Sequence, residues 1–151
     1  MKVDINVKII KKDFVYEFEI PSYKTEGSAG MDLFACLPRE ISVKPKEIIS
    51  VPTGIAIEIN DDNIGGFIFP RSGLSTKHGI SLANAVGVID SDYRGEIKCS
   101  LINHGEKDYE IKPADRIAQI IFMPIYRANL ILVDKLQETK RGSGGFGSTG
   151  R

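Results

Sequence analysis

The chain has 151 residues, 20 Lys+Arg against 20 Asp+Glu, a formal net charge of zero and 42% hydrophobic residues. That length implies one domain, able to bury roughly 70% of the surface its unfolded chain exposes. The charge balance excludes the broad basic face that duplex DNA or an anionic membrane calls for, so any anion must be caught locally.

Period-two alternation dominates the chain. Val3, Ile5, Val7 and Ile9 point one way, with Asp4, Asn6 and Lys8 the other, the pattern of a half-buried strand. Val15 to Ile20 alternates similarly. Short β-branched or apolar runs follow at Ile41 to Val43, Ile48 to Val51, Ile55 to Ile59, Gly66 to Phe69, Val86 to Ile89, Ile97 to Ile102, Ile117 to Ile125 and Leu130 to Val133. Pro21, Pro38, Pro45, Pro52, Pro70, Gly95, Gly105, Pro113 and Pro124 punctuate them. Many short strands with regular turns predict an all-β antiparallel sandwich or barrel, such as a jelly roll. One short helix is expected, around Gly73 to Lys77. A single composition shift, at Arg141, divides an ordered body (1–140) from a tail (141–151).

No apolar run approaches the ~20 residues of a membrane span. The N-terminal MKVDINVKIIKKD is charged throughout and has no signal-peptide core. Cys36 and Cys99 lie far apart without metal-ligand spacing, which suits two reduced thiols in a cytoplasmic protein. His78 and His104 are solitary, and no C-x-x-C or H-x-E motif accompanies them, so a zinc deaminase site of the usual type is absent.

Four polar clusters interrupt the strands. In Gly27-Ser-Ala-Gly30-Met-Asp32-Leu33, two glycines allow a tight turn before Asp32. That carboxylate either caps its own backbone or faces the water shell of a metal. In Pro70-Arg71-Ser72-Gly73-Leu74-Ser75, Ser72 can cap the short helix. Arg71 beside that helix start makes an anion site from N–H groups and guanidinium together.

The third cluster runs from Asn84 to Glu96 and reads as strand, tight turn, strand, a hairpin closed by Gly95. Asp90 and Asp92 flank its tip. Asn84 offers a donor and an acceptor to a polar base edge. Tyr93 offers a flat wall, and an Asp at the strand end can hold and deprotonate a water. In the fourth, Pro113-Ala-Asp115-Arg116-Ile-Ala-Gln119, the Asp115–Arg116 pair reads as structural. Gln119, an amide within an apolar strand, needs a partner in the protein or a ligand.

The tail, Arg141-Gly-Ser-Gly-Gly-Phe146-Gly-Ser148-Thr149-Gly150, carries five glycines in ten residues around one aromatic ring. Glycine buries nothing and loses the most backbone freedom on ordering. Either the segment is a disordered Gly/Ser tail or Phe146 closes on a flat ring while hydroxyls and N–H groups meet phosphates. Its literal G-x-G-x-x-G match (Gly142, Gly144, Gly147) is set aside: a dinucleotide fingerprint needs a strand before it, a helix after it and an acid roughly 20 residues on, and the sequence runs only to Arg151.

The ordered set AGMDL (29–33), PRSGLS (70–75), GVIDSDYRG (87–95), DRIAQ (115–119) and RGSGGFGSTG (141–150) closely resembles the trimeric dUTPases, above all bacterial members. The resemblance spans nearly the whole chain. One departure is Ala114, where that family usually has glycine.

The resemblance implies a distorted jelly roll assembled as a homotrimer. It implies three sites at subunit interfaces, each closed by a third subunit's tail. It implies Mg-assisted hydrolysis of dUTP to dUMP and pyrophosphate, which limits uracil in DNA and supplies dUMP for thymidylate synthesis. Asp90 matches the general base that orients water toward the α-phosphorus. Tyr93 would pack under the sugar and exclude a 2′-hydroxyl. Asn84 and backbone at Gly87, Val88 and Ile89 would read uracil, with Lys98 adding backbone across the hairpin.

Arg71, Ser72 and Gly73 would hold the triphosphate, with Ser72 near the leaving oxygen and Gln119 adding a contact. Asp32 would hold Mg2+ through water. In the tail, Phe146 would stack on uracil, Arg141 would approach the γ-phosphate, and Ser148 and Thr149 would donate to phosphate oxygens. No nucleic-acid or membrane partner is expected. Competing readings are a dCTP deaminase, disfavoured by the DSDY hairpin and the Gly-Phe-Gly tail, and a non-catalytic nucleotide-binding module on the same fold.

Overall fold

The computed structural model describes residues 2–10 and 19–145. Eleven strands and one helix occur among them: β1 (Ile5–Ile9), β2 (Met31–Phe34), β3 (Ile41–Val43), β4 (Ile48–Pro52), β5 (Ile55–Ile59), β6 (Ile64–Phe69), α1 (Ser72–His78), β7 (Ile80–Leu82), β8 (Gly87–Ile89), β9 (Lys98–Asn103), β10 (Tyr109–Ile111) and β11 (Arg116–Pro124). Every pairing among these strands is antiparallel. The sheets run β2-β11-β6-β8, β4-β9-β7, β1-β5 and β10-β3, the jelly-roll arrangement expected.

The inner faces meet in one core. Leu33, Val43, Val51, Ile80, Ile97, Leu101 and Ile111 are its most deeply buried large side chains. The buried polar residues Thr53 and Asn103 are bonded: the Thr53 hydroxyl donates to the Ile97 carbonyl, and the Asn103 amide donates to those of Val43 and Lys107. Cys36 and Cys99 are both buried. No helix among the described residues is long and apolar enough to cross a membrane.

Several expectations need correction. Residues 130–133 form no strand: Leu130, Ile131 and Leu132 are 91%, 76% and 99% exposed. Their apolar pattern is real, but among the described residues no strand pairs with them to complete a ladder. Glu19 and Ile20 are likewise irregular, and the rest of the expected 15–20 strand lies outside the described residues.

Strands β2, β7 and β10 are too short to show a period. They exist because β11, β9 and β3 lie alongside them. The hairpin expected within Asn84 to Glu96 is not a paired one. β8 bonds to β6, whereas β9 bonds to β4 and β7, so the 90–97 loop passes between two sheets. Ser72 does not cap α1. Arg71 occupies the N-cap position with no side-chain cap bond, and Ser72 is already helical. Gly79 ends that helix at φ 71°.

Candidate active site

One cluster of charged and polar side chains is built on three adjacent strands. Asp32 of β2 lies opposite Gln119 of β11, and Gln119 lies opposite Phe69 of β6. Directly opposed residues share a face, so this row points one way. Pro70 ends β6 and Arg71 turns the chain into α1, placing a guanidinium beside the row.

Arg71 Nε lies 2.8 Å from Asp32 Oδ1, and Arg116 Nη1 lies 3.4 Å from Asp32 Oδ2. Arg71 also donates to the Arg116 carbonyl at 3.2 Å. Arg116 and Gln119 are three apart and would face opposite sides of a regular strand. The register shift between Arg116 and Ala118 brings the Arg116 guanidinium round to Asp32, as bulges do. Asp115 and Arg116 both make structural contacts, though not with each other: Asp115 accepts the Lys112 N–H at 2.8 Å and Arg116 faces Asp32.

Gln119 Nε2 donates to the Pro70 carbonyl at 3.0 Å, so its partner is the backbone that leads into Arg71. Gly30 makes room for this amide. A Cβ there would sit 3.1 Å from Gln119 Oε1 and 3.1 Å from Ile121 Cγ1. Ser72 and Gly73 are exposed, with open space around Gly73. Two arginines against one aspartate leave a net positive charge at this edge.

The second part is an open cleft of about 380 Å³. Asn84, Gly87, Val88, Ile89, Asp90, Tyr93 and Lys98 all line it. The sequence reading assigned no role to three further walls, Ile68, Glu96 and Ile97. Glu96 carried a signal, being an acid placed directly after a turn glycine. Asp92 is not part of this cleft and lines a neighbouring one with Asp62, Ser91 and Arg127.

Asn84 precedes Ala85 at φ 61°, and the Val86 N–H bonds back to the Asn84 carbonyl at 2.6 Å. Such a three-residue turn with positive φ is strained for a residue bearing a Cβ. It aims the Asn84 amide at the start of β8. Gly87 packs on Ile68, where a Cβ would lie 3.2 Å from Ile68 Cβ. No side chain among the described residues bonds the exposed Asp90 carboxylate.

The two parts do not merge within one chain. The cleft walls include neither Arg71, Ser72 nor Gln119. Arg141 is exposed and donates to the Gly144 carbonyl at 2.8 Å. Phe146, Ser148 and Thr149 lie outside the described residues.

A strand-edge cleft that offers backbone and an amide to a flat polar ring, with cations at the end of an adjoining strand, marks a nucleotide-handling jelly roll. Comparison with known proteins narrows the class. The profile of the dUTPase family matches residues 16–150, and the chain belongs to that family.

It is 47% identical over 148 residues to the deoxyuridine 5′-triphosphate nucleotidohydrolase of Desulfitobacterium hafniense (strain DSM 10664 / DCB-2), covering 98% of this chain and 97% of that one. It is 48% identical over 147 residues to that of Escherichia coli O7:K1 (strain IAI39 / ExPEC), covering 97% of each. Its fold matches the Staphylococcus bacteriophage 80alpha dUTPase with dUPNHPP at a TM-score of 0.85 and 24% identity, over 98% and 99% of the two chains. It matches the dUTPase of phage phi11 of S. aureus, whose structure concerns coordination of a structural Mg(II) ion, at 0.78 and 20% identity, over 89% and 99%.

Proposed function

We infer that this protein hydrolyses dUTP to dUMP and pyrophosphate. Within the structure, the observation that carries this reading is the convergence of Asn84, the β8 backbone, Tyr93 and Asp90 on one cleft. A base edge can pair with Asn84 and the polar groups of residues 87–89, leaving no space for a 5-methyl group. Tyr93 forms the wall under the sugar. Asp90 is exposed at the end of β8, where it can orient a water and take its proton as that water attacks the α-phosphorus.

Arg71 follows β6 at the end where Ile68 lines the cleft, and Arg116 and Gln119 stand on the neighbouring strand β11. Arg71, with Ser72, Gly73 and Gln119, binds the triphosphate and stabilises charge on the departing pyrophosphate. The tail residues Arg141, Phe146, Ser148 and Thr149 close over the nucleotide and exclude bulk water.

The donor set fits a magnesium ion carried mainly by phosphates. Among the described residues no cluster of three or more metal-binding side chains exists, and Asp32 presents a single carboxylate. Magnesium keeps most of its waters and commonly needs few protein ligands. When bound, it would neutralise charge growing on the leaving group.

The reading extends to a homotrimer. Tyr126, Leu130, Ile131, Leu132 and Leu136 are 100%, 91%, 76%, 99% and 79% exposed. An apolar arm of this kind marks a protein–protein surface, and a second copy of the chain supplies one. The separation of the two half-sites within one chain fits catalysis at a subunit interface. The two buried thiols, Cys36 and Cys99, suit a reducing cytoplasm.

Incubation of the pure protein with dUTP and each dNTP, with products identified, tests the activity. dUMP and pyrophosphate from dUTP alone are expected. Ammonia from dCTP would establish a deaminase, and no product from any nucleotide would leave a binding module.

A further inference from the structure

Tyr93 is 43% exposed, so burial alone does not hold its ring in place. What holds it is the loop on which it stands. Its hydroxyl donates to the Glu96 carbonyl at 3.1 Å, and its N–H bonds to the Asp90 carbonyl at 3.1 Å. The hydroxyl end of the ring lies against Gly95. A Cβ at Gly95 would fall 2.5 Å from Tyr93 Cζ and 3.0 Å from Cε2, with the hydroxyl nearer still. Gly95 is not among the residues with positive φ. It therefore supplies space rather than conformational freedom, and alanine would strain the ring, not the backbone.

The far side of the loop is anchored to the β4–β5 corner. Glu96 Oε1 accepts the Gly54 N–H at 3.0 Å. The Ile97 carbonyl accepts the Thr53 hydroxyl at 2.7 Å, and the Ile97 N–H donates to Ile55 at 2.8 Å. Tyr93 thus leans on a carbonyl whose own side chain is tied to the rigid body of the barrel.

We propose that Gly95 and Glu96 are positioning residues that fix the level of the Tyr93 ring in the nucleoside cleft and thereby set discrimination between deoxyribose and ribose. This rests on Tyr93 being the wall beneath the sugar. Gly95 admits the ring, Glu96 holds its hydroxyl, and the Glu96–Gly54 bond ties both to β5. A ring displaced outward leaves room for a 2′-hydroxyl and loosens the correct sugar as well.

The test compares kcat and KM for dUTP and UTP in the full-length protein and in Gly95→Ala, Glu96→Gln, Glu96→Ala and Tyr93→Ala, with melting temperatures recorded. Gly95→Ala should lower the dUTP:UTP ratio of kcat/KM by about tenfold or more, the scale on which a pocket senses a small group, without a fall in melting temperature. Glu96→Ala should lower the ratio in the same sense, and Glu96→Gln, which keeps an acceptor for Gly54, should restore it. Adding Gly95→Ala to Tyr93→Ala should change the ratio no further.

If Tyr93→Ala loses discrimination while Gly95→Ala and Glu96→Ala keep it, the positioning role is wrong and the sugar-wall reading stands. If Tyr93→Ala itself keeps discrimination, the sugar-wall reading falls and the proposal with it.

Discussion

The Asp32 carboxylate is gripped by Arg71, Nε to Oδ1 at 2.8 Å, while only 15% of the Asp32 side chain is exposed. Arg116 holds the other oxygen at 3.4 Å. The carboxylate therefore neutralises both cations, and in the function proposed above it would be freed toward the waters of a metal when a triphosphate engages Arg71.

Asp32→Asn should separate these roles. With metal chelated, the variant should bind a nonhydrolysable dUTP analogue more tightly than the parent, because one competing negative charge is gone. With magnesium present, its turnover should fall about tenfold or more, the order lost when an outer-shell partner of a metal is removed. Calorimetric titration with and without EDTA, beside pyrophosphate release, measures both. Weaker analogue binding in EDTA would refute the competition.

Asp90→Asn keeps the size of the side chain and removes the base. Analogue affinity should stay within a few-fold of the parent. Turnover should fall by roughly 10² to 10⁴. Near-normal turnover measured by pyrophosphate release would exclude Asp90 as the base.

The arm and the tail should fail differently. Leu130→Asp with Leu132→Asp puts charge on the exposed apolar arm, and sedimentation should show a monomer with little activity. A chain cut after Lys140 should keep the parent's mass in solution and melt normally, yet turn over slowly because the lid is gone. An active monomer would break the interface reading, and a fully active truncation would break the lid.

Ala114 sits at φ 64°, in the left-handed region, while its N–H bonds the Ala35 carbonyl at 2.9 Å. A Cβ costs roughly 1–2 kcal/mol there, and glycine gives back about 0.4–1 kcal/mol through a freer unfolded chain. Ala114→Gly should stabilise the fold by about 1 kcal/mol, raising the melting temperature by about 2–4 °C. No rise in calorimetry would mean the turn relaxes at no cost.

Burial pushes the Cys99 thiol up to about 12 from its ordinary 9.0. The folded value is the raised one, so this contribution to stability is complete below pH 9 and is lost as pH climbs toward 12. Urea midpoints should fall across that window, and Cys99→Ala should fall less steeply. Alkylation of Cys99 near neutral pH should require unfolding, since only the thiolate reacts. Parallel midpoint curves for parent and variant would show that Cys99 does not govern the alkaline limb.

β1 was legible by alternation, and β3, β4, β5, β6, β8, β9 and β11 by runs of β-branched or apolar residues between turn signals. β2, β7 and β10 were not, since their three or four residues form no such run and pairing alone creates them. The Leu130–Val133 pattern was read as a strand of this chain, but it lacks a neighbour here. Residue type singled out Asp90, Asn84 and Tyr93, which the fold brings to one cleft, and Arg71, which it places against Asp32. Glu96, an acid directly after a turn glycine, was given no role because its side-chain partner, the Gly54 N–H, stands 42 positions away.

Local order along the chain determined the all-β class, the motif inventory and the family, because periodicity and residue chemistry are properties of neighbouring residues. Tertiary structure alone decided that Arg116 turns to Asp32 rather than to Asp115, that Gln119 is held by Pro70, and that the 90–97 loop bridges two sheets. These are contacts between residues 3 to 84 positions apart. Distances of that kind are set by which strands pair and where a bulge shifts the register, and neither is written in any one segment.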